Sequence, residues 1–256
     1  MFGFAGETEF DLRFYLFRIP IRIHPMFWLS SAWMVWDPEN LGFTAIGILC
    51  MLVSVLVHEL GHAFVLRKYG FPSEIVLYFL GGYATSTGLS FWRRIYVSAA
   101  GPAAGLTLAA VCYMAYWYML EQHFRLLQTY PAIPYILGVM LFLGIIVNLI
   151  NLVPCLPLDG GNIMAAIVGR YGPRGRGGTE LTLQISIATA GAVAVWSAVC
   201  LNSQSLLIPL HFFAWLPEPH SWMLASLQPD PKFNMIFFGL LCAQSVIEYN
   251  NFKAWR

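Results

Sequence analysis

Charge is scarce in this 256-residue chain. Lys and Arg number 14 and Asp and Glu 13, 11% of the residues, against 58% that are hydrophobic. A water-soluble domain carries about 25% charged residues, so this chain lacks the side chains to cover a water-facing surface. With a mean hydropathy of +0.64, it reads as a membrane protein. There is no basic run to suggest a nucleic-acid partner, so none is expected, and the net charge of +1 says little about partners. There is no CxxC pair. Cys50, Cys112, Cys155, Cys200 and Cys242 are odd in number and lie far apart, so they read as reduced packing residues rather than a disulfide framework. No small-residue cleavage site follows the N-terminal apolar stretch, which Arg13, Arg18 and Arg22 interrupt, so no cleavable signal peptide is expected. Internal repeats and any stretch polar enough for a separate soluble domain are also missing.

What the chain does have is long hydrophobic runs. A spanning helix needs about 20 mainly apolar residues, and 41–66, 95–120, 133–153 and 183–207 qualify. The run 233–247 is shorter, and 25–36 is marginal, closed by the turn-forming "DPEN" of 37–40. Counting both predicts an all-α polytopic membrane protein with about six transmembrane helices. With both termini cytoplasmic, the outer loops hold only Arg125 and Lys232 of the 14 basic residues. That is a strong positive-inside bias.

Two short segments have the pattern of strands. In "RIPIRIHP" (18–25), Ile19, Ile21 and Ile23 alternate with Arg18, Pro20, Arg22 and His24. "EIVLYFLGG" (74–82) is β-branched and aromatic after a turn at 70–72. An open sheet edge cannot face lipid, because its N–H and C=O groups would lack partners. A small β-sheet or hairpin near the cytoplasmic face is therefore expected. The glycine-rich "YGPRGRGG" (171–178) reads as a cytoplasmic loop.

Ionisable residues inside a span are costly, and they default to a functional reading. "LVHELGHAF" puts three in one: His58, Glu59 and His62. Four residues apart, the two histidines share a helix face. The pattern is HExxH, in which both imidazoles bind Zn²⁺ and the glutamate is the general base. His62 precedes Arg67 by five residues, which puts it roughly 7 Å below that charged helix end. The alternative is that the three groups pair with one another or with other helices. A metal also needs further ligands, and the run 133–153 leads into "NLINLVPCLPLDGG". There Pro154 and Pro157 break the helix before Asp159, and Gly160 and Gly161 permit close backbone approach or positive φ. Two histidines and a carboxylate make a three-ligand catalytic zinc site with one open position.

"HELGH" followed by "NLVPCLPLDGG" closely resembles the site-2 protease family of intramembrane zinc metalloproteases. "RIHP" near the N-terminus, "FLGGYA" at 79–84 and "SAAGPAAG" at 98–105 extend the resemblance over about 18–161. It implies an enzyme, a zinc metalloendopeptidase acting within the bilayer on a transmembrane protein substrate. Such cleavage releases a signalling fragment or clears a signal-peptide remnant. On this reading His58, His62 and Asp159 hold Zn²⁺, and Glu59 takes a proton from water and delivers it to the departing amine. Asn151 aligns with a family asparagine that bonds substrate backbone or the oxyanion; alternatively it satisfies carbonyls freed by Pro154. Asn148 shares that helix face as a weaker candidate.

A substrate helix must be unwound before its peptide bonds are accessible, and strand addition would satisfy the freed backbone groups. The 74–82 strand offers an edge, and Gly81 and Gly82 would let a peptide pass close to the metal; an ordinary interfacial hairpin is the alternative. His24 either lines the entrance or bonds backbone. Cys155 is assigned to packing, as are Gly101 to Gly105. His123, His211 and His220 fall on the opposite side, and the aromatics of 212–222 form an interfacial belt.

The domains follow: 1–24 a cytoplasmic segment with a short strand, 25–170 the catalytic core, 171–182 the Gly-rich loop, and 183–256 the C-terminal transmembrane helices, a possible gate. The protein is expected to be multi-pass, with both termini and the active-site side cytoplasmic, and in the cell inner membrane if the source is bacterial. The rival reading is a non-proteolytic zinc-binding transporter or helix-binding receptor. A transporter would carry ionisable residues along a path through several spans, and here they cluster towards one face.

Overall fold

A computed structural model describes residues 6–78, 81–83, 89–208 and 229–254. The chain divides into two units, Met1–Asn148 and Leu149–Arg256.

The first unit begins with a hairpin. β1 (Leu12–Leu16) and β2 (Ile19–Ile23) pair antiparallel, with Leu12 opposite Ile23. Phe17 and Arg18 make the turn at φ of 50° and 62°, the doubly positive geometry that suits a two-residue hairpin. β1 lies within the segment expected to hold one strand, so 1–24 contains two. As the alternation predicts, Ile19, Ile21 and Ile23 are buried. Arg22, on the opposite face, is buried as well, because Asp11 covers it at 2.9 Å.

β2 also pairs in parallel with β3 (Ile75–Tyr78), and β3 pairs antiparallel with β4 (Gly81–Tyr83), giving the order β1-β2-β3-β4. The 74–82 stretch, expected as one strand, is therefore two. Folding back lets Gly81 and Gly82 pair with Tyr78 and Leu77, which satisfies backbone groups that a lone extended edge would leave exposed.

The parallel β2–β3 step needs a crossover, supplied by α1 (Pro25–Met34) and α2 (Leu41–Lys68). His24 caps α1, its Nδ1 accepting from the Met26 N–H at 3.1 Å. The 37–40 turn forms as expected. Asp37 Oδ1 accepts from the Glu39 and Asn40 N–H groups at 2.9 and 3.0 Å. Asn40 then caps α2 through Gly42 N–H at 2.9 Å.

α2 packs on α3 (Phe91–Gln122). A Cβ on Gly61 would overlap the Ala100 carbonyl oxygen, so the two backbones meet directly. After α4 (Phe124–Thr129), α5 (Ala132–Phe142), a π-helical turn (Leu143–Val147) and α6 (Asn148–Asn151) run on as one helix. The unit's core is Ile19, Ile21, Ile23, Ile75 and Leu77 of the sheet against Phe27, Leu60 and Ala63 of the helices.

In the second unit, α7 (Asp159–Tyr171), α8 (Arg176–Ser203) and α9 (Pro231–Ala254) follow the proline segment. α8 and α9 pack through Ala190, Phe238 and Leu241, with Cys155 fully buried among them. The Gly-rich connection is shorter than 171–182: α7 runs to Tyr171 and α8 starts at Arg176. Gly175 takes the turn at φ 62°, and Gly177 and Gly178 are absorbed into the first turn of α8, close against Pro173.

Among the described residues, four helices are long and apolar enough to cross a membrane: Leu41–Lys68, Phe91–Gln122, Ala132–Asn151 and Arg176–Ser203. They match the four long runs read from the sequence, and this is an integral membrane protein. α1, at 10 residues, is about 15 Å long and falls short of the ~30 Å apolar thickness. α9 is 24 residues long but less apolar than the four.

Candidate metal centre

The HExxH residues lie in the C-terminal half of α2, all three buried. Their four-residue spacing brings the His58 and His62 Nε2 atoms within 3.1 Å of each other. Each ring is anchored from its other nitrogen. His62 Nδ1 meets the Val97 carbonyl of α3 at 2.7 Å, and His58 Nδ1 meets Asn148 Oδ1 at 2.7 Å.

These anchors decide the tautomers. A backbone carbonyl only accepts, so His62 Nδ1 is the protonated nitrogen. Asn148 Nδ2 faces the Gly144 carbonyl at 2.9 Å and the Leu143 carbonyl at 3.4 Å. Its amide is therefore oriented with Oδ1 towards His58, and His58 Nδ1 also donates. In the neutral rings, both Nε2 atoms then hold lone pairs pointed at one another. Two ring nitrogens converging in this way offer a place for a shared cation. Nitrogens about 2.0–2.1 Å from a tetrahedral zinc stand roughly 3.3–3.4 Å apart, so the observed 3.1 Å fits a metal with little adjustment.

Space for the pair comes from α3. A Cβ on Gly101 would overlap His62 Nε2 and lie 2.7 Å from His58 Nε2. One on Gly105 would overlap the Asn148 amide. The "GPAAG" stretch, assigned to packing from the sequence, thus also clears room for the imidazoles and their amide partner.

Asp159 belongs to the second unit, where it is the first residue of α7. A carboxylate there is favoured by the free N–H groups of the helix end. The expected helix break is present: α6 ends at Asn151 and α7 begins at Asp159. The polar groups this frees are taken up by α8. Ser186 Oγ accepts from Leu156 N–H at 3.1 Å, and Thr189 Oγ1 donates to the Pro154 carbonyl at 2.9 Å. Gly160 and Gly161 serve close approach, since Cβ atoms there would overlap Leu152 and Cys155 backbone. His58, His62 and Asp159 each offer one ligand atom of a kind zinc takes.

The remaining candidates separate. Asn151 is half-buried at the end of α6. Gly81 and Gly82 are backbone partners of β3. His24 is bonded to backbone at α1 and lies edge-on to Tyr78 at 4.8 Å. Cys155 packs as assigned. His123 ends α3, edge-on to Tyr118 at 5.6 Å. His211, His220 and the aromatics of 212–222 lie outside the described residues. The residue the sequence underweighted is Asn148. A lone asparagine in an apolar span was its signal, but helical spacing grouped it with Asn151 instead of His58.

Fold and imidazole pair together define an integral membrane protein with a metal-type histidine pair on one helix. The profile of peptidase family M50 matches residues 46–132 and 127–193, more than half the chain, and the chain belongs to that family. It is 27% identical over 205 residues to a zinc metalloprotease of Methanocaldococcus jannaschii, covering 78% of this chain and 57% of that protein. The chain spans 57% and 52% of the length of two such relatives and 38% of another. The solved site-2 protease from M. jannaschii shares the fold, with a TM-score of 0.53 at 23% identity, covering 88% of this chain and 95% of that one.

Proposed function

We propose that this chain is an intramembrane zinc metalloendopeptidase that hydrolyses a peptide bond in a transmembrane segment of a protein substrate. The observation that carries the reading is the imidazole pair, with both Nδ1 atoms committed and both Nε2 atoms converging at 3.1 Å. His58, His62 and Asp159 would hold the metal. Bound zinc supplies Lewis acidity, which polarises a carbonyl and acidifies water.

The chain's own residues do the rest. Glu59, next to His58 on α2, takes a proton from the attacking water and passes it to the leaving amine. Asn151 donates its amide N–H to substrate backbone or to the developing oxyanion. An unwound substrate segment adds to the sheet beside Gly81 and Gly82, which replaces the hydrogen bonds it loses on leaving its helix. The outcome is regulated release of a fragment or clearance of a signal-peptide remnant.

In this reading six helices lie in the membrane, α9 as a span and α1 entering only part way, with both termini and the site on the cytoplasmic side. In a bacterium that places the protein in the inner membrane. The test is cleavage of a model transmembrane peptide by purified protein of measured zinc content. Wild type should cut, and Glu59→Gln should keep its zinc and stop cutting. Zinc-loaded wild type that cuts none of several helix-destabilised peptides would move the protein to the binding or transport class.

A further inference from the structure

Asn148 is a neutral amide, 2% exposed, at the end of a π-helical turn, and every polar atom of its side chain has a specific partner. Its backbone N–H turns to the Ile145 carbonyl. The Gly144 carbonyl, which that N–H would meet in an unbroken α-helix, accepts instead from side-chain Nδ2 at 2.9 Å. Leu143 adds a longer contact at 3.4 Å. Two carbonyls on one side of the amide leave Oδ1 only one direction, towards His58 Nδ1 at 2.7 Å. Gly105 is the slot that admits it.

We infer that Asn148 is the positioning residue of the metal centre: it fixes the His58 tautomer and ring orientation, and through His58 it sets the affinity for zinc. This rests on the zinc reading above. Of the two imidazole anchors, Val97 acts through its backbone, so Asn148 is the one a substitution can remove. A partner on the far nitrogen of a ligating histidine holds the ring in its metal-binding pose and raises its basicity. The amide does this without adding a negative charge, so it does not compete with Asp159 for the metal.

The inference is tested on full-length protein labelled with ¹⁵N-histidine, by two measurements: the imidazole nitrogen shifts of the metal-free protein, and zinc affinity by chelator competition. Metal-free wild type should show His58 protonated at Nδ1. In Asn148→Leu that preference should be lost for His58 and kept for His62, with zinc affinity down about 10–100-fold. Asn148→Asp, which keeps an acceptor beside His58, should keep the His58 proton on Nδ1, where Asn148→Leu loses it. Gly105→Ala displaces the amide without changing its chemistry and should reproduce the Asn148→Leu result, which secures the test if Asn148→Leu fails to fold. The inference is overturned if His58 carries its proton on Nε2 in wild type, or if both Asn148→Leu and Gly105→Ala bind zinc as wild type does. Wild type that binds no zinc, yet shows the His58 tautomer and its loss in Asn148→Leu, would overturn the zinc reading and leave the hold of Asn148 on His58 standing.

Discussion

Gly101 of α3 lies so close over His62 that a single added methyl would overlap the imidazole Nε2. Intrinsic propensity opposes a glycine there, since alanine in a helix interior is better by roughly 0.5–1 kcal/mol. His62 cannot swing aside freely, because its Nδ1 is tied to the Val97 carbonyl at 2.7 Å. Gly101→Ala is therefore expected to destabilise by about 1–3 kcal/mol, as overpacked sites do, and to lower zinc affinity at least tenfold, on the scale of losses at metal-supporting residues. Zinc competition and thermal unfolding of the same preparation separate the two effects. Wild-type affinity in the variant would mean that the imidazoles do not need the space Gly101 leaves.

The convergence of the two Nε2 atoms makes a second prediction, about metal removal. A ligand that binds only the folded state stabilises it by about 2.7 kcal/mol at a hundred times its Kd. Chelation should thus lower the melting temperature of detergent-solubilised wild type by roughly 5–10 °C for a chain of this size. His58→Ala should melt at the same temperature with and without chelator. A wild-type melting temperature indifferent to chelation would count against a metal shared by the pair.

How much of this was legible in the residues themselves varies from element to element. The spacing of His58 and His62 is one helical turn, so the pair could be read directly, as could the turn at 37–40. β1 was missed because its turn carries no glycine or asparagine. Phe17 and Arg18 are held at positive φ by a tertiary contact, Arg67 donating to both of their carbonyls from the end of α2. The stretch 74–82 was read with one period where the chain turns back on itself. Asn148 was grouped with Asn151 because three residues make one helix face, and nothing local announces the π-turn that accompanies its contact with His58. What tertiary contacts decide, a local pattern cannot show.

Gly160 gives a prediction confined to the second unit. A Cβ there would overlap the Leu152 and Val153 carbonyls, which are backbone atoms of a segment tied to α8 through Ser186 and Thr189. Nothing flexible can yield, so Gly160→Ala should destabilise by about 1–3 kcal/mol, as overpacked sites do, despite the helix propensity it gains. Thermal unfolding against wild type measures this. A stabilised variant would mean that the 152–158 turn tolerates displacement.

The last prediction concerns acid stability and the N-terminal sheet. Burial alone would push the Asp11 carboxyl up, but hydrogen bonds from Thr8 and Arg22 outweigh it and hold the group at about 2. Arg22 reaches Asp11 Oδ2 at 2.9 Å and the Gly6 carbonyl at 3.2 Å, with its side chain 9% exposed. A carboxyl lowered in the folded state contributes stability that is complete above its unfolded value, about 3.9. That stability is lost as pH falls from there through the folded value near 2. Asp11→Asn removes the charge and leaves Arg22 buried without its carboxylate, a change that costs about 3 kcal/mol where a buried pair is broken. The difference between wild type and Asp11→Asn should therefore be constant from pH 7 down to about 4 and shrink towards pH 2, as wild-type Asp11 itself becomes protonated. Unfolding measured at a series of pH values follows that difference. If it held constant to pH 2, the pair would contribute through shape rather than charge.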